Sequence, residues 1–321
     1  MAETSSGESG GRTALIVAGP TASGKSALAL DVAEAFNGVI INADSMQLYA
    51  DLRVVTARPS DADLARAPHA LYGTVSADQV YSAGRWVEAA KGEANAAWAA
   101  GRLPIFCGGT GFYLAALTEG LSPMPDVPGD VRQAVRGRQE DIGAEAFHAE
   151  LAEADPESAA RLNPSDRQRV ARAMEIYEAT GRSLSEWFTD TKLAPALDAQ
   201  FLTLVLNPPR AVLYAGIEAR FDAMMQAGAL AEVCALLAQN LDPAVPAMKA
   251  LGVPELGAAI RGEVSLEDAV IKAKQKSRNY AKRQLTWLRH RLPDAHVEPA
   301  QYSESAKQKF FPIVREFLLT P

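Results

Sequence analysis

The residues with the clearest chemical potential are Gly19-Pro20-Thr21-Ala22-Ser23-Gly24-Lys25-Ser26, which satisfy G-x-x-x-x-G-K-[ST]. The glycines of such a loop let backbone N–H groups converge on phosphate oxygens, and a helix that follows adds the positive end of its dipole. Lys25 would neutralise charge between the outer phosphates, and the Ser26 hydroxyl could hold Mg²⁺. The bland alternative is a Gly-rich helix cap that binds nothing, but all eight residues and both flanks agree with a phosphate cradle. A second candidate lies in Asn42-Ala43-Asp44-Ser45, just past another apolar run. Asp44 is a candidate general base as much as a metal partner, and capping a helix with Ser45 is its structural alternative. Thr110, after Gly108-Gly109, is either a turn residue or a functional one.

These groups need rigid elements behind them. Ala14-Leu15-Ile16-Val17-Ala18 is a short apolar run ending at Gly19-Pro20, which fits a strand buried on both faces. Leu28, Val32 and Phe36 then recur at spacing four, predicting a helix that Asn37-Gly38 stops. Val39-Ile40-Ile41 reads as the next strand, Val87 to Ala99 as a helix, and Leu103 to Cys107 as a strand ending in Gly108-Gly109-Thr110. Alternation of this kind implies α/β architecture: a P-loop NTPase-like parallel sheet core flanked by helices, with ligands at the strands' C-terminal ends.

After Gly120 the grammar changes. Ser122 to Gly129 is a proline-rich hinge, and the residues beyond it show only helical spacing, which predicts an inserted all-helical subdomain over 121–200. Core grammar resumes with the strand-like Phe201 to Leu206, and helices are expected for most of the chain beyond it. The core domain is therefore read as 13–120 and 201–321, preceded by a loose Gly/Ser-rich tail over 1–12.

The 321 residues are 48% hydrophobic and 22% charged, an ordinary globular composition. The tail lacks the charged start and apolar run of a signal peptide, and no stretch approaches the roughly 18 apolar residues that span a bilayer. A cytoplasmic protein with no membrane partner is expected. Cys107 and Cys234 have no metal or disulfide spacing and are read as reduced core residues. A net charge of −7 argues against coating nucleic acid by bulk charge. Yet from Lys272 to Arg291 there are eight Lys/Arg and no Asp or Glu, which points to a defined polyanion site.

The cradle, with Asp44-Ser45-Met46-Gln47-Leu48-Tyr49, Thr56-Ala57-Arg58-Pro59 and Pro68-His69, resembles the tRNA dimethylallyltransferase (tRNA isopentenyltransferase, IPP transferase) family. Tyr81-Ser82-Ala83, Gly101-Arg102-Leu103-Pro104, Gly108 to Tyr113 and Leu121-Ser122-Pro123 continue the likeness in order. So do Asn163 to Asp166 with Arg167 to Glu175, and Ala281 to Arg289, so the resemblance runs from about Ala14 to Arg289. The chain departs from the family's usual pattern at Val55 and Arg58, at Gly73 where an Asp is common, and after Gly252 in Met248 to Pro254.

The resemblance implies that the cradle holds dimethylallyl diphosphate with Mg²⁺ on Ser26, while Lys25 and an Arg, here assigned to Arg220, absorb the leaving group's charge. Asp44 would accept a proton from the exocyclic amine of the adenosine 3′ of the anticodon, in tRNAs reading codons that start with U. Thr110 is tipped towards contacting that nucleotide and counted with Asp44 and Arg220 as catalytic. The tRNA anticodon stem-loop would meet Asp44, Ser45, Met46, Gln47, Thr110, Arg132, Gln168, Arg169, Arg172, Lys249, Lys282, Arg283, Gln284 and Arg289. Without the likeness, Arg169 and Arg172 read as an ordinary solvated helix face, and Trp287 reads as core. A monomer is expected. Three other readings share the loop: an isopentenyltransferase acting on free adenine nucleotides, a small-molecule kinase, and an RNA-binding GTPase-like switch, which ranks last because the sequence has no Asn-Lys-x-Asp base-reading motif.

Overall fold

The computed structural model describes residues 11–122, 124–189 and 194–320. Of the expected loose tail only Gly11 and Arg12 fall within this set, and Pro123 of the hinge lies outside the described residues. Strand β1 (Thr13–Ala18) leads through the glycine loop into α1 (Lys25–Ala35), followed by β2 (Gly38–Asn42), α2 (Asp61–Arg66), β3 (His69–Ala70), α3 (Ala83–Ala99), β4 (Leu103–Gly108) and α4 (Gly111–Thr118). Helices α5 (Gly129–Ile142), α6 (Ala144–Ala154), α7 (Pro156–Arg161), α8 (Arg167–Thr180) and α9 (Leu184–Thr189) come next. Then follow β5 (Gln200–Leu206), α10 (Arg210–Gln226), α11 (Ala229–Leu237), α12 (Val253–Ile260), α13 (Leu266–Arg291), β6 (His296–Glu298) and α14 (Glu304–Leu319).

Among the described residues the strands form one six-stranded sheet in the order β3-β2-β4-β1-β5-β6, every pair parallel. β1 is central because its run Ala14–Ala18 has no polar face to offer solvent, and all five residues are fully buried. In register, Val17 pairs with Cys107 on one side and Leu204 on the other. β4 follows both β1 and β2 in the chain but lies between them in space. Its terminal loop therefore enters between the glycine loop and the Asp44 turn. Gly108 permits the approach, since a Cβ there would fall 2.1 Å from the Ala43 carbonyl oxygen.

Most elements follow the sequence pattern, with instructive differences. Leu28 and Val32 of α1 are buried, whereas Phe36 is the C-cap residue, partly buried with its ring edge-on to Phe311. α3 starts at Ala83 and not Val87, because Ser82 accepts from the Arg85 N–H and caps a first turn that includes the buried Trp86. The helices expected to the C-terminus are interrupted by β6, whose three residues are too few to show a period. Cys107 is buried as expected, but Cys234 is exposed: α11 buries Ala229, Val233 and Leu236, and the position after Val233 turns about 100° away onto the open side.

Two compact units result. One comprises the described residues up to Thr118 and from Ala196 onward, and contains the sheet; the other, Glu119–Pro195, is all helical. The helical unit has its own core of Val135, Phe147, Leu151, Val170 and Met174. Its buried Asp155 is satisfied by the Ser158 N–H and the Ser185 hydroxyl, both at 3.0 Å. Among the described residues no helix is long and apolar enough to cross a membrane.

Candidate active site

The glycine loop turns sharply at Ala22 (φ 63°) and at Gly24 (φ 92°), which is the N-cap of α1. This geometry starts the helix at Lys25 and directs its first N–H groups towards the loop's interior. Lys25 is only 9% exposed, and its Nζ donates to the Pro20 carbonyl at 3.5 Å. Burial pulls its ammonium below the ordinary lysine value, Arg220 adds repulsion, and Cys107 and Asp44 act in the opposite sense. Burial likewise lowers the Arg220 guanidinium, with Asp44 as the opposing charge. The Cys107 thiol behind the loop is raised by burial to about 11 and stays protonated.

Lys25, Ser26, Asp44 and Arg220 border one cavity of about 260 Å³. Ser45, Met46 and Gln47 continue its Asp44 side; Val55, Ile217, Phe221, Met224 and Leu251 form an apolar wall; and Lys249, Tyr280 and Arg283 also line it. Two desolvated cations beside one carboxylate leave an excess positive charge that an anion would balance. The apolar wall suits a hydrocarbon attached to that anion.

Several elements hold these groups in place. Asn42 Oδ1 accepts from the Asp44 N–H at 2.8 Å, and its Nδ2 donates to the carbonyls of Asp44 and Leu71. Asp44 Oδ1 accepts from the Met46 N–H at 3.0 Å and so caps a turn, not a helix. The wall loop is pinned by Glu232, whose carboxylate accepts from the N–H groups of Arg53, Val54 and Val55 at 2.6, 2.7 and 2.8 Å. Gln47 Nε2 donates to the carbonyls of Thr56 and Ala57 in the same loop, and Arg220 Nη2 donates to Thr56 O at 3.4 Å. Glu232 and the apolar wall escaped the sequence reading, because nothing near Glu232 in the chain points to a loop 177 to 179 residues away. Tyr280 was legible only as an aromatic in a basic run.

The expected site residues do not all meet at one place. Thr21, Lys25, Ser26, Asp44, Ser45, Met46, Gln47, Arg220, Lys249 and Arg283 converge on the cavity. Thr110 is not among its lining residues; its Oγ1 accepts from the Ser45 N–H at 3.0 Å, so it braces the turn that follows Asp44. Lys282 and Arg289 are exposed, and among the described residues neither they nor Arg283 forms an ion pair. Three others of the basic run are neutralised internally, as Lys274–Asp222, Lys276–Glu255 and Arg278–Glu218.

Gln284 corrects the sequence expectation of an RNA contact. It is 6% exposed, with Oε1 accepting from the Thr21 N–H and Nε2 donating to Gly109 O, both at 2.9 Å, so its amide is directed inward. Trp287, read as core, is only partly buried and covers Gly111. In the helical unit Gln168 is exposed, as is Arg169 with its ion pair to Asp166 at 3.5 Å, and Arg132 is half-buried. Arg172 pairs with the buried Glu175, which Arg136 also meets, so α8 presents a partly neutralised face. Two positions that depart from the family pattern are neighbours: Gly73 has φ 62°, and a Cβ on it would fall 1.4 Å from Arg58 Nη1. The guanidinium takes the space a side chain at 73 would need.

No cluster of three acids or imidazoles able to hold a metal occurs among the described residues. A single hydroxyl at Ser26 with the Asp44 carboxylate lining the same cavity instead fits a magnesium ion that takes most of its oxygens from a phosphate ligand and water.

A charge balance of this kind has a measurable signature. An anion beside Lys25 stabilises its charged form and raises its lowered pKa, so over the alkaline window between the free and bound values diphosphate binding is expected to take up a proton. Affinity should fall as pH rises through the lowered value. Calorimetric titrations in two alkaline buffers of different ionisation enthalpy measure the uptake; proton release would contradict the assignment.

A glycine loop after the central strand, with its cations facing a cavity at the strands' C-terminal ends, places the chain in the P-loop class of phosphate-handling α/β proteins. Within that class it belongs to the IPP transferase family: the family model "IPP transferase" matches residues 47–291, and an "Isopentenyl transferase" model matches residues 12–72. The chain is 58% identical over 298 residues to a tRNA dimethylallyltransferase of Rhodopseudomonas palustris (strain BisB18), covering 92% of this chain and 94% of that protein. It is 53% identical over 310 residues to that of Rhodospirillum rubrum, covering 95% of each. Among solved structures, the full-length tRNA isopentenylpyrophosphate transferase of Bacillus halodurans is 28% identical with a TM-score of 0.68, covering 95% of this chain and 96% of that one. A eukaryotic dimethylallyltransferase acting on tRNA is also 28% identical with a TM-score of 0.79, covering 96% of this chain and 79% of that one.

Proposed function

We propose that this protein transfers the dimethylallyl group of dimethylallyl diphosphate to the exocyclic amine of the adenosine 3′ of the anticodon, in tRNAs reading codons that start with U, releasing diphosphate. The observation that carries the reading is the pairing of two desolvated cations, Lys25 and Arg220, with an apolar wall and the Asp44 carboxylate in one cavity. As the bond from allylic carbon to oxygen breaks, negative charge grows on the diphosphate, and Lys25 and Arg220 are preorganised to receive it. Val55, Phe221 and Leu251 hold the five-carbon group. As the carbon–nitrogen bond forms, the amine proton passes to Asp44. Magnesium, when bound at Ser26 and the diphosphate, would supply further neutralisation of the leaving group.

An adenine in a stacked loop hides its amine, so the base must be extruded to reach Asp44. The exposed Lys282 and Arg289, with Arg283 at the cavity, fit the backbone of an anticodon stem-loop. In the helical unit, Arg132, Gln168 and Arg169 are the side chains for the same polynucleotide. Free cations beyond the cavity give no advantage with a free nucleotide. A monomer acting in the cytoplasm is the assembly and location that go with this reading.

Purified protein supplied with labelled dimethylallyl diphosphate and magnesium is expected to prenylate an unmodified tRNA transcript and leave AMP, ADP and ATP unlabelled, as read by nucleoside mass spectrometry. Label in free nucleotides alone would favour the nucleotide prenyltransferase, and phosphoryl transfer from ATP without any prenyl product would favour the kinase.

A further inference from the structure

The inward-facing amide of Gln284 is the one strongly polar side chain in the buried stripe of α13, whose neighbours are Ala269, Ala273, Ser277, Ala281 and Leu288. A desolvated amide is costly unless both its ends are bonded, and here both are. Its acceptor takes the Thr21 N–H of the glycine loop, and its donor meets the carbonyl of Gly109 in the loop after β4. The two loops leave neighbouring parallel strands, β1 and β4, and one side chain spans the gap between them. The fit is close, since a Cβ on Gly109 would fall 2.1 Å from the Gln284 nitrogen. Polarity matters as well as length: a carboxylate would satisfy Thr21 but face the Gly109 carbonyl with a second acceptor.

The bridge joins the two halves of the reaction. Thr21 belongs to the loop that holds the diphosphate, while Thr110, next to Gly109, braces Ser45 beside Asp44. Tyr280 and Arg283 of the same helix line the cavity. We propose that Gln284 is a positioning residue that sets the spacing between the diphosphate cradle and the Gly109–Thr110 loop, so that the polynucleotide-binding helix also aligns donor and acceptor. The role rests on the transfer reading above. It acts through alignment, where a displacement of about 1 Å can cost about a hundredfold in rate.

The test uses Gln284→Leu and Gln284→Glu in the full chain. Single-turnover prenyl transfer at saturating substrates is expected to fall about 10- to 100-fold in both variants. The tRNA dissociation constant should stay within about twofold of wild type with an unaltered salt dependence, because no phosphate contact is removed. Hydrogen exchange at Thr21 should quicken in the Leu variant and remain near wild type in the Glu variant, which keeps the acceptor. Should the Leu variant fail to fold, the Glu variant still carries the rate test. Normal turnover in a folded variant overturns the proposal, as does weakened tRNA binding with normal turnover, which would make Gln284 an RNA contact. If wild-type protein transfers no prenyl group, the functional reading fails; if Thr21 exchange in the Leu variant is unchanged, the bridge itself fails.

Discussion

Lys25→Met is expected to lower kcat/KM for the prenyl donor by about 10³-fold, the upper end of what loss of one charge-stabilising donor costs. Its melting temperature should hold or rise. The ammonium is buried with a distant carbonyl as its hydrogen-bond partner, and burial and Arg220 both oppose its charge. Methionine keeps the length and volume of the stem while removing that desolvation cost, a change that is often neutral or stabilising. Activity and stability are thus expected to move apart, because the cost of desolvating the Lys25 ammonium is offset only when the leaving diphosphate takes up its charge. Steady-state kinetics with a thermal melt on the same preparation checks both. Near-normal turnover would remove Lys25 from the role, and loss of fold would mean that its packing mattered more than its charge.

For Asp44→Asn, turnover is expected to drop by about a hundredfold or more, the scale of lost general base catalysis, with tRNA binding retained. The geometry favours a clean experiment. Asparagine keeps an Oδ1 to accept from the Met46 N–H, and the Asp44 N–H bond to Asn42 is untouched by the substitution. Removing the carboxylate also leaves Lys25 and Arg220 without the opposing charge that favours their protonated forms, and makes the cavity more positive. KM for the donor should therefore not rise, and the defect should lie in kcat. A defect recovered by excess magnesium would show Asp44 to be a metal partner instead.

The two residues were legible in the sequence for different reasons. Lys25 sits inside an eight-residue pattern whose every position has a local mechanical reason, so the loop and its ligand class could be read without the fold. Asp44 was found by its place at the end of an apolar strand, although the sequence left base, metal partner and cap open. One of these alternatives is now partly realised, since one carboxylate oxygen caps the turn at Met46 while the residue also borders the cavity. Arg220 needed the family likeness; only the fold shows it desolvated beside Lys25.

Gln284 shows the opposite case. Its run of basic neighbours made it look like part of an RNA-facing surface, yet the stripe Ala273, Ser277, Ala281 turns it inward by helical phase. Charge clustering in sequence therefore overstated the exposed basic surface. Lys274, Lys276 and Arg278 meet acids on α10 and α12 that are 21 to 60 positions away, beyond any local reading of pairing. Cys234 was misplaced for a related reason: in an alanine- and leucine-rich helix, composition alone does not say which side faces the core.

By itself the sequence determined the glycine loop, the strands rich in Val, Ile and Leu, the helical insert and the chemical class of ligand, because each depends on residues close together in the chain. Tertiary structure alone decided that β4 lies between β1 and β2, that Arg220 and Lys25 share one cavity, that Glu232 pins its wall and that Gln284 ties two loops. These arrangements join residues from distant segments, and only the packing of the whole sheet and its helices brings them within a few ångströms of one another.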